Sequence, residues 1–197
     1  MSQIIWLNGA FGGGKTQTAG ELHRRLPGSF VYDPECFGFW LRKNEPPSLR
    51  TPDFQDVPLW REGNYLALRR IALEFDGIII VPMTLTSPDY YNEIIGRLRE
   101  DGINVTHVLL SATKETLRKR QRSRLDGPKS WAVRQISHCL KAFGNPRFEN
   151  KLPTDGLSIP EVAEAVAVMC GLKLSPRKRG LRQKFAEVLT SLRAIRL

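Results

Sequence analysis

The sequence predicts an α/β fold, in which a five-stranded parallel sheet carries helices on both faces. Apolar runs and helical patterns alternate along the chain, as is typical of parallel strands joined by helical crossovers. Residues 78–81 are an unbroken β-branched run, which indicates a strand buried on both faces at the centre of the sheet. A glycine-rich loop between the first strand and the first helix is the third observation.

Turn and cap residues divide the chain into elements. Pro27 and Gly28 end the first predicted helix, and residues 44–58 are rich in proline and polar residues, which predicts a loop. Ser87 and Pro88 are typical of the start of a helix. The predicted strands are 3–8, 29–32, 78–81, 105–110 and, more weakly, 151–154. The predicted helices are 18–26, 36–42, 59–75, 88–100, 113–124, 131–143 and 158–170.

Residues 9–16 match the phosphate-loop pattern G-x-x-x-x-G-K-[ST] at every fixed position. Glycines let successive backbone N–H groups surround an anion, and the following helix directs its positive dipole end at the same place. Lys15 adds a positive charge for the terminal phosphates, and the Thr16 hydroxyl is a suitable ligand for Mg²⁺. The motif predicts a nucleotide site in a P-loop NTPase fold. The predicted nucleotide-binding residues are Gly9, Ala10, Phe11, Gly12, Gly13, Gly14, Lys15, Thr16 and Gln17.

An acidic residue follows the second predicted strand, at the sheet edge where open parallel sheets bind ligands. The Asp33 carboxylate could accept a proton from an attacking hydroxyl or hold Mg²⁺ through water, and an ordinary turn aspartate before proline is the alternative. Glu35 is a weaker candidate nearby. The central strand, by contrast, leads into Pro82 with no carboxylate at its end. Thr84, just beyond, either contacts a phosphate or has a structural role.

Two further groups are candidates for the acceptor and for the transferring phosphate. Arg120 and Arg124 are neighbours on one helix face before a Gly-Pro break, where they could close over the transferring phosphate; a solvated basic face is the alternative. Trp40 and Trp60 suit the wall of a pocket, although core packing is equally compatible with the pattern. Arg61 could pair with a substrate anion.

The net charge of +10 is concentrated at the end of the chain. Residues 172–197 contain eight basic side chains and one acid, Glu187, so a uniformly basic nucleic-acid-binding protein is a poor description. Apolar residues from Leu181 onward recur at helical spacing, which predicts a basic amphipathic helix. The helix could pack on the domain, pack on a second subunit, or lie on an anionic membrane surface.

Three scattered cysteines suggest neither a disulfide framework nor a zinc site. The N-terminus lacks the features of a signal peptide, and no run approaches the length of a membrane span. The sequence therefore predicts a cytoplasmic protein, peripheral on the inner face of the membrane if the tail binds there.

With these residues in view, the chain resembles the bacterial tunicamycin-resistance protein family, a branch of the small phosphate-loop kinases. The matching segments are IWLNGAFG (5–12), GKTQT (14–18), ELHRRL (21–26), VYDPE (31–35), PLWR (58–61), IVPMT (80–84), NEIIGRL (92–98), SW (130–131) and TDGLS (154–158). The resemblance covers nearly the whole chain. It implies a fold similar to chloramphenicol phosphotransferase and to shikimate and nucleoside-monophosphate kinases.

The resemblance also implies ATP binding at the loop and resistance to tunicamycin, a nucleoside-type antibiotic. Kinases of this kind use an acid after the second strand and arginines in a lid, which fall on Asp33 and on Arg120 and Arg124 here. The family's membrane-attached helix falls on residues 181–197. We therefore expect a kinase-like domain over residues 1–171, with a lid at about 118–131, and a terminal helix over 172–197.

The expected function is phosphorylation of an antibiotic hydroxyl with ATP and Mg²⁺. ATP-dependent sequestration of tunicamycin without chemical change is the alternative. Asp33, Glu35, Trp40, Trp60, Arg61 and Thr84 are the predicted acceptor-binding residues, and Lys15, Asp33, Arg120 and Arg124 the predicted catalytic ones. The expected partner is a small molecule and not a nucleic acid; the sequence leaves the oligomeric state open.

Overall fold

The computed structural model describes residues 2–122, 131–148 and 150–177. Residues 123–130 of the expected lid and the amphipathic stretch from residue 181 onward lie outside this part of the chain. Within it, the five strands form one parallel sheet in the order β2-β3-β1-β4-β5. The strands are β1 (Gln3–Gly9), β2 (Ser29–Val31), β3 (Ile78–Pro82), β4 (Asn104–Ser111) and β5 (Lys151–Pro153). The predicted five-stranded parallel sheet is confirmed.

Helices connect the strands and cover both faces of the sheet. In the described residues these are α1 (Lys15–Arg25), α2 (Pro34–Asn44), α3 (Pro58–Glu74), α4 (Pro88–Tyr91), α5 (Arg97–Glu100), α6 (Lys114–Arg122), α7 (Trp131–Ala142) and α8 (Ile159–Met169). The strand order sends the chain from β1 toward one edge of the sheet and from β4 toward the other. Open α/β sheets bind their ligands at such a switch point, beyond the carboxyl ends of the strands.

Alternating residues of β1 divide the core into two layers. Ile4 and Trp6 are buried with residues of α3, of the 94–98 segment and of α7, whereas Ile5 and Leu7 are buried with α1 and α8. A strand that is buried on both faces needs this continuous apolar sequence. The central position of β1 therefore fixes the loop at its carboxyl end between two packed helical layers.

Two segments differ from the sequence prediction. The predicted loop at 44–58 contains two 3₁₀ turns, Pro47–Leu49 and Phe54–Asp56. The predicted continuous helix at 88–100 is interrupted by the π-helical turn Asn92–Gly96 between α4 and α5. The first of these segments brings side chains to the candidate site.

Candidate functional site

The loop between β1 and α1 follows a path that requires glycine. Gly12 and Gly14 have φ angles of 83° and 86°, in the left-handed region that L side chains rarely adopt. A Cβ atom at Gly12 would lie 2.8 Å from the carbonyl oxygen of Leu117 on α6. A side chain at this position would therefore displace either the loop or the helix beneath it.

The N-terminus of α1 faces this loop without a side-chain cap. Gly14 occupies the N-cap position and has no side chain to cap the helix, and the first turn contains no acidic residue. The first N–H groups of a helix otherwise lack partners, and together with the helix dipole they attract an anion. Phosphate binding fits this arrangement.

Lys15 lies over the loop, with its ammonium group directed at the loop backbone. Its Nζ donates to the carbonyl oxygens of Gly9, at 2.9 Å, and Ala10, at 3.3 Å. It also lies 5.6 Å from the centre of the Phe11 ring. The ammonium charge is thereby held at the loop, where a phosphate oxygen could take the place of these carbonyl groups.

The remaining loop residues present the hydroxyl and amide expected at a metal–nucleotide site. Thr16 and Gln17 are half-buried in the first turn of α1. No group of three or more His, Cys, Asp or Glu side chains in the described ranges could hold a metal ion.

Asn8, which the sequence analysis did not select, joins the loop to the segment after β3. Its Oδ1 accepts from the N–H groups of Gly9, at 2.8 Å, and Leu85, at 3.0 Å. Its Nδ2 donates to the Leu85 carbonyl oxygen at 2.9 Å and lies 3.2 Å from Nε2 of His107. The side chain is fully buried. Its position directly before Gly9 is the only sequence signal for this role.

Thr84 supports the same junction. Its hydroxyl donates to the Gly9 carbonyl oxygen at 2.9 Å, and only 4% of the residue is exposed. Thr84 therefore makes a structural contact, and it also lines a neighbouring pocket where a ligand could reach it.

A pocket of about 330 Å³ adjoins the loop at this point, at the lower end of the size range of small-molecule sites. Its walls come from the phosphate loop, the segment around the second 3₁₀ turn, the segment after β3 with the start of α4, and α7. The lining residues are Phe11, Pro52, Asp53, Gln55, Asp56, Thr84, Thr86, Ser87, Tyr90, Gln135, His138 and Cys139.

Electrostatic effects on two lining residues connect the pocket to the loop. Burial raises the pKa of the Cys139 thiol, the charge of Lys15 and the Phe11 N–H act to lower it, and the charge of Asp53 acts to raise it. Burial also raises the pKa of the Asp53 carboxyl, against the effect of its hydrogen bond from the Gln55 N–H. Lys15 and Asp53 are thus both close enough to influence the same buried thiol.

Asp33 lies at the carboxyl end of β2 and caps α2. Its Oδ1 accepts from the Glu35 N–H at 3.0 Å, and both residues are half-buried. Neither is among the residues that line the pocket. Asp33 thus lies at the carboxyl edge of the sheet, and β3 separates its strand from β1, which leads into the loop.

The aromatic and basic candidates of the 40–61 region take structural positions. Trp60 has no exposed surface and its Nε1 donates to the Pro34 carbonyl oxygen at 3.1 Å, so this side chain lies behind the pocket and does not line it. Trp40 is 57% exposed and stacks on Phe37 outside the pocket.

Arg61, proposed above as a partner for a substrate anion, is engaged within the protein. It is 8% exposed, its Nε donates to Oε2 of Glu93 at 2.6 Å, and one NH group donates to the Gln55 carbonyl oxygen at 2.6 Å. Its guanidinium lies 4.3 Å from the centre of the Tyr90 ring. The structure therefore assigns Arg61 to the support of the pocket wall.

Arg120 on α6 donates to both oxygens of Thr154, at 3.1 Å and 2.6 Å, just after β5. This contact keeps the guanidinium at the carboxyl edge of the sheet, next to Ser111, which accepts from Thr154. Arg124 lies outside the described residues, and so does most of the expected lid.

The sequence profile of an AAA-domain family matches residues 4–144, which include the phosphate loop and β1 to β4. Among solved structures, the tunicamycin resistance protein of Deinococcus radiodurans is 36% identical to the chain. The match covers 90% of this chain and 100% of that protein, with a TM-score of 0.77. The chain belongs to the tunicamycin-resistance protein family. The resemblance identified in the sequence is thus confirmed.

More distant structures share the fold with this family member. A sugar kinase from Janibacter sp. HTCC2649 is 15% identical over 87% of this chain and 96% of its own, with a TM-score of 0.62. Shikimate kinase from Bacteroides thetaiotaomicron is 17% identical over 86% of this chain and 99% of its own, with a TM-score of 0.56. The expected P-loop kinase-like fold is confirmed. No match is found among curated protein sequences.

None of the helices in the described part of the chain is both long and apolar enough to cross a membrane.

Proposed function

We propose that the protein is an ATP-dependent phosphotransferase that phosphorylates a hydroxyl group of tunicamycin or a similar nucleoside-like molecule. The observation that carries the proposal is the contact between an uncapped, glycine-lined phosphate site and a pocket of about 330 Å³. A kinase needs a phosphate donor and an acceptor held side by side, because positioning supplies much of its rate enhancement.

ATP is the proposed donor, held by residues 9–17. In this role the Lys15 ammonium exchanges its bonds to the Gly9 and Ala10 carbonyl groups for the β- and γ-phosphates. Thr16 provides a hydroxyl ligand for Mg²⁺, which when bound neutralises phosphate charge and orients the transferring group.

Transfer forms a bond from the acceptor oxygen to the γ-phosphorus and breaks the bond to the leaving ADP. The acceptor proton passes to a carboxylate, and Asp33 at the end of β2 is the proposed base. Arg120 and Arg124 neutralise charge on the transferring group, since arginine donors stabilise phosphoryl transfer strongly.

Tunicamycin is the proposed acceptor because the Deinococcus relative, at 36% identity, is a tunicamycin resistance protein. Modification of the antibiotic would explain resistance directly. Sequestration of the unmodified drug would also give resistance, and only a chemical measurement separates the two.

The direct test is to incubate the protein with Mg·ATP and tunicamycin and to analyse the antibiotic by mass spectrometry. We expect a product heavier by one phosphoryl group, formed with one ADP per product. Lys15→Met should abolish it, whereas Lys114→Met, at an exposed site on α6, should not. Tunicamycin that binds tightly in the presence of ATP but is recovered unchanged would contradict phosphorylation and favour sequestration.

A second variant tests the proposed base. Asp33→Asn retains an oxygen to accept from the Glu35 N–H, so the cap of α2 is preserved. We expect turnover to fall by about 10²–10⁴-fold while ATP affinity changes little. Asp89→Asn, at an exposed site in the first turn of α4, is the matched control. Undiminished turnover in Asp33→Asn would exclude Asp33 as the base.

A further inference from the structure

One wall of the pocket is acidic, because Asp53 and Asp56 line it. Asp53 caps the 3₁₀ turn Phe54–Asp56, where its Oδ1 accepts from the Gln55 N–H at 2.9 Å. Asp56 accepts at Oδ1 from the Tyr90 hydroxyl at 2.9 Å. Hydrogen bonds therefore fix the orientation of both carboxyl groups.

This turn is anchored from behind by packing. The Phe54 ring lies 5.4 Å from the ring of Trp60 and against Gly38 of α2, where a Cβ atom would come within 2.5 Å of the Phe54 ring. Arg61 binds the Gln55 carbonyl oxygen at 2.6 Å. The acidic wall is thus part of the folded domain and not an exposed loop tip.

The other described lining residues include hydrogen-bonding groups, among them the hydroxyl of Thr84 and the side chains of Gln135 and His138 on α7. Among the described residues, neither lysine nor arginine lines the pocket. The nearby cations are engaged within the protein. Lys15 donates to the loop carbonyl groups, and Arg61 is paired with Glu93. Arg42, whose charge acts to lower the pKa of Asp53, donates to the Pro52 carbonyl oxygen.

From this arrangement we infer that the pocket is the acceptor site and that Asp53 and Asp56 restrict the acceptor to neutral or cationic polyhydroxylated molecules. An acceptor with a phosphate or carboxylate group would place its anion beside fixed carboxylates, which repel it strongly in a partly buried site. Sugar and nucleoside hydroxyl groups, in contrast, donate well to ionised carboxylates. The inference rests on the proposed function, because it takes this pocket to be the acceptor site.

Charge selectivity can be measured by binding, without turnover. We would saturate the protein with Mg²⁺ and a non-hydrolysable ATP analogue, so that the phosphate loop is occupied, and titrate it with tunicamycin, with uridine and with uridine 5′-monophosphate. We expect tunicamycin and uridine to bind, with uridine at least tenfold tighter than its monophosphate. Equal or tighter binding of the monophosphate, or no detectable binding of tunicamycin and uridine at millimolar concentration, would overturn the inference.

The double variant Asp53→Asn/Asp56→Asn removes both charges while retaining oxygens that can accept from the Gln55 N–H and the Tyr90 hydroxyl. We expect the double variant to lower the ratio of the affinity for uridine to that for uridine 5′-monophosphate by tenfold or more. Its affinity for the ATP analogue should not fall. Asp89→Asn should leave the preference as it is. An unchanged preference in the double variant would refute the role of the two carboxylates. A selective pocket in a protein that does not phosphorylate tunicamycin would refute the proposed function alone.

Discussion

At the scale of single residues, the candidate site depends on side chains that hold the backbone as much as on those that face a ligand. Asn8 uses both its oxygen and its amide nitrogen to join Gly9 to Leu85. The loop that is proposed to bind the donor and the segment that forms the floor of the pocket therefore share one buried asparagine.

Replacement of Asn8 should lower the stability of the domain and disturb the alignment of Gly9 with Leu85. In Asn8→Ala the buried N–H groups of Gly9 and Leu85 lose their acceptor, and an unsatisfied buried polar group costs about 1–3 kcal/mol. We expect the free energy of unfolding to fall by about 2–4 kcal/mol on this basis, measured by urea denaturation. Asn104→Ala, at an exposed site at the start of β4, is the control. Equal effects of the two variants would contradict the role of Asn8.

Tyr32 gives a residue-scale prediction about pH. Its hydroxyl donates to Oδ1 of Asn64 at 2.9 Å, and burial, with smaller effects from Cys36 and Asp33, raises its pKa from 10.0 to about 12. The unfolded chain releases this proton first as pH rises. The contribution of Tyr32 to the free energy of unfolding is therefore complete below about pH 10 and is lost between about pH 10 and 12.

The test is to measure the free energy of unfolding of the wild type and of Tyr32→Phe at several values between pH 8 and 11. We expect the wild-type curve to fall more steeply above pH 10, because only that protein carries the buried phenol. Parallel curves would show that Tyr32 titrates alike in the folded and unfolded chains.

At the scale of elements, the sequence predicted the strands and helices that depend on local or periodic signals. The β-branched run of β3 and the glycine loop before α1 were sufficient to place the phosphate loop at the centre of the sheet. The 3₁₀ turn Phe54–Asp56 was not predicted, because it depends on the packing of Phe54 between Gly38 and Trp60, which are distant in sequence.

Packing between residues distant in sequence also explains why the predicted acceptor-binding residues differ from those that line the pocket. Trp60 and Arg61 have the residue types of a binding wall, and only tertiary contacts show that they lie behind it. Asp53 and Asp56 look like ordinary loop acids in the sequence. Their significance comes from the position of α7 and the phosphate loop across the pocket, which no local pattern records.

At the scale of the whole molecule, the predicted basic helix follows a segment that is bound to the domain. The chain is still attached to the domain at residues 175–177: the Ser175 N–H donates to the Arg25 carbonyl oxygen at 2.9 Å, and Arg177 lies 3.6 Å from the buried Glu21. The predicted amphipathic helix begins beyond this attachment.

Deletion of residues 180–197 should therefore leave the unfolding midpoint of the domain nearly unchanged. We expect it to release the protein from vesicles that contain anionic lipids, since basic residues beside an apolar stripe favour such surfaces. Co-sedimentation with anionic and with neutral vesicles measures the effect. Failure of the intact chain to bind anionic vesicles would end the membrane interpretation, and a large loss of stability would indicate that the tail packs on the domain.

The separate origin of the pocket walls has a consequence for how relatives can diverge. The phosphate loop is constrained by the glycine path over α6, and few substitutions are compatible with it. The acidic wall comes from a short stretch between α2 and α3 that contributes no strand to the sheet. If the proposed function holds, exchange of a few side chains there would change the acceptor while the loop proposed to bind the donor stayed the same.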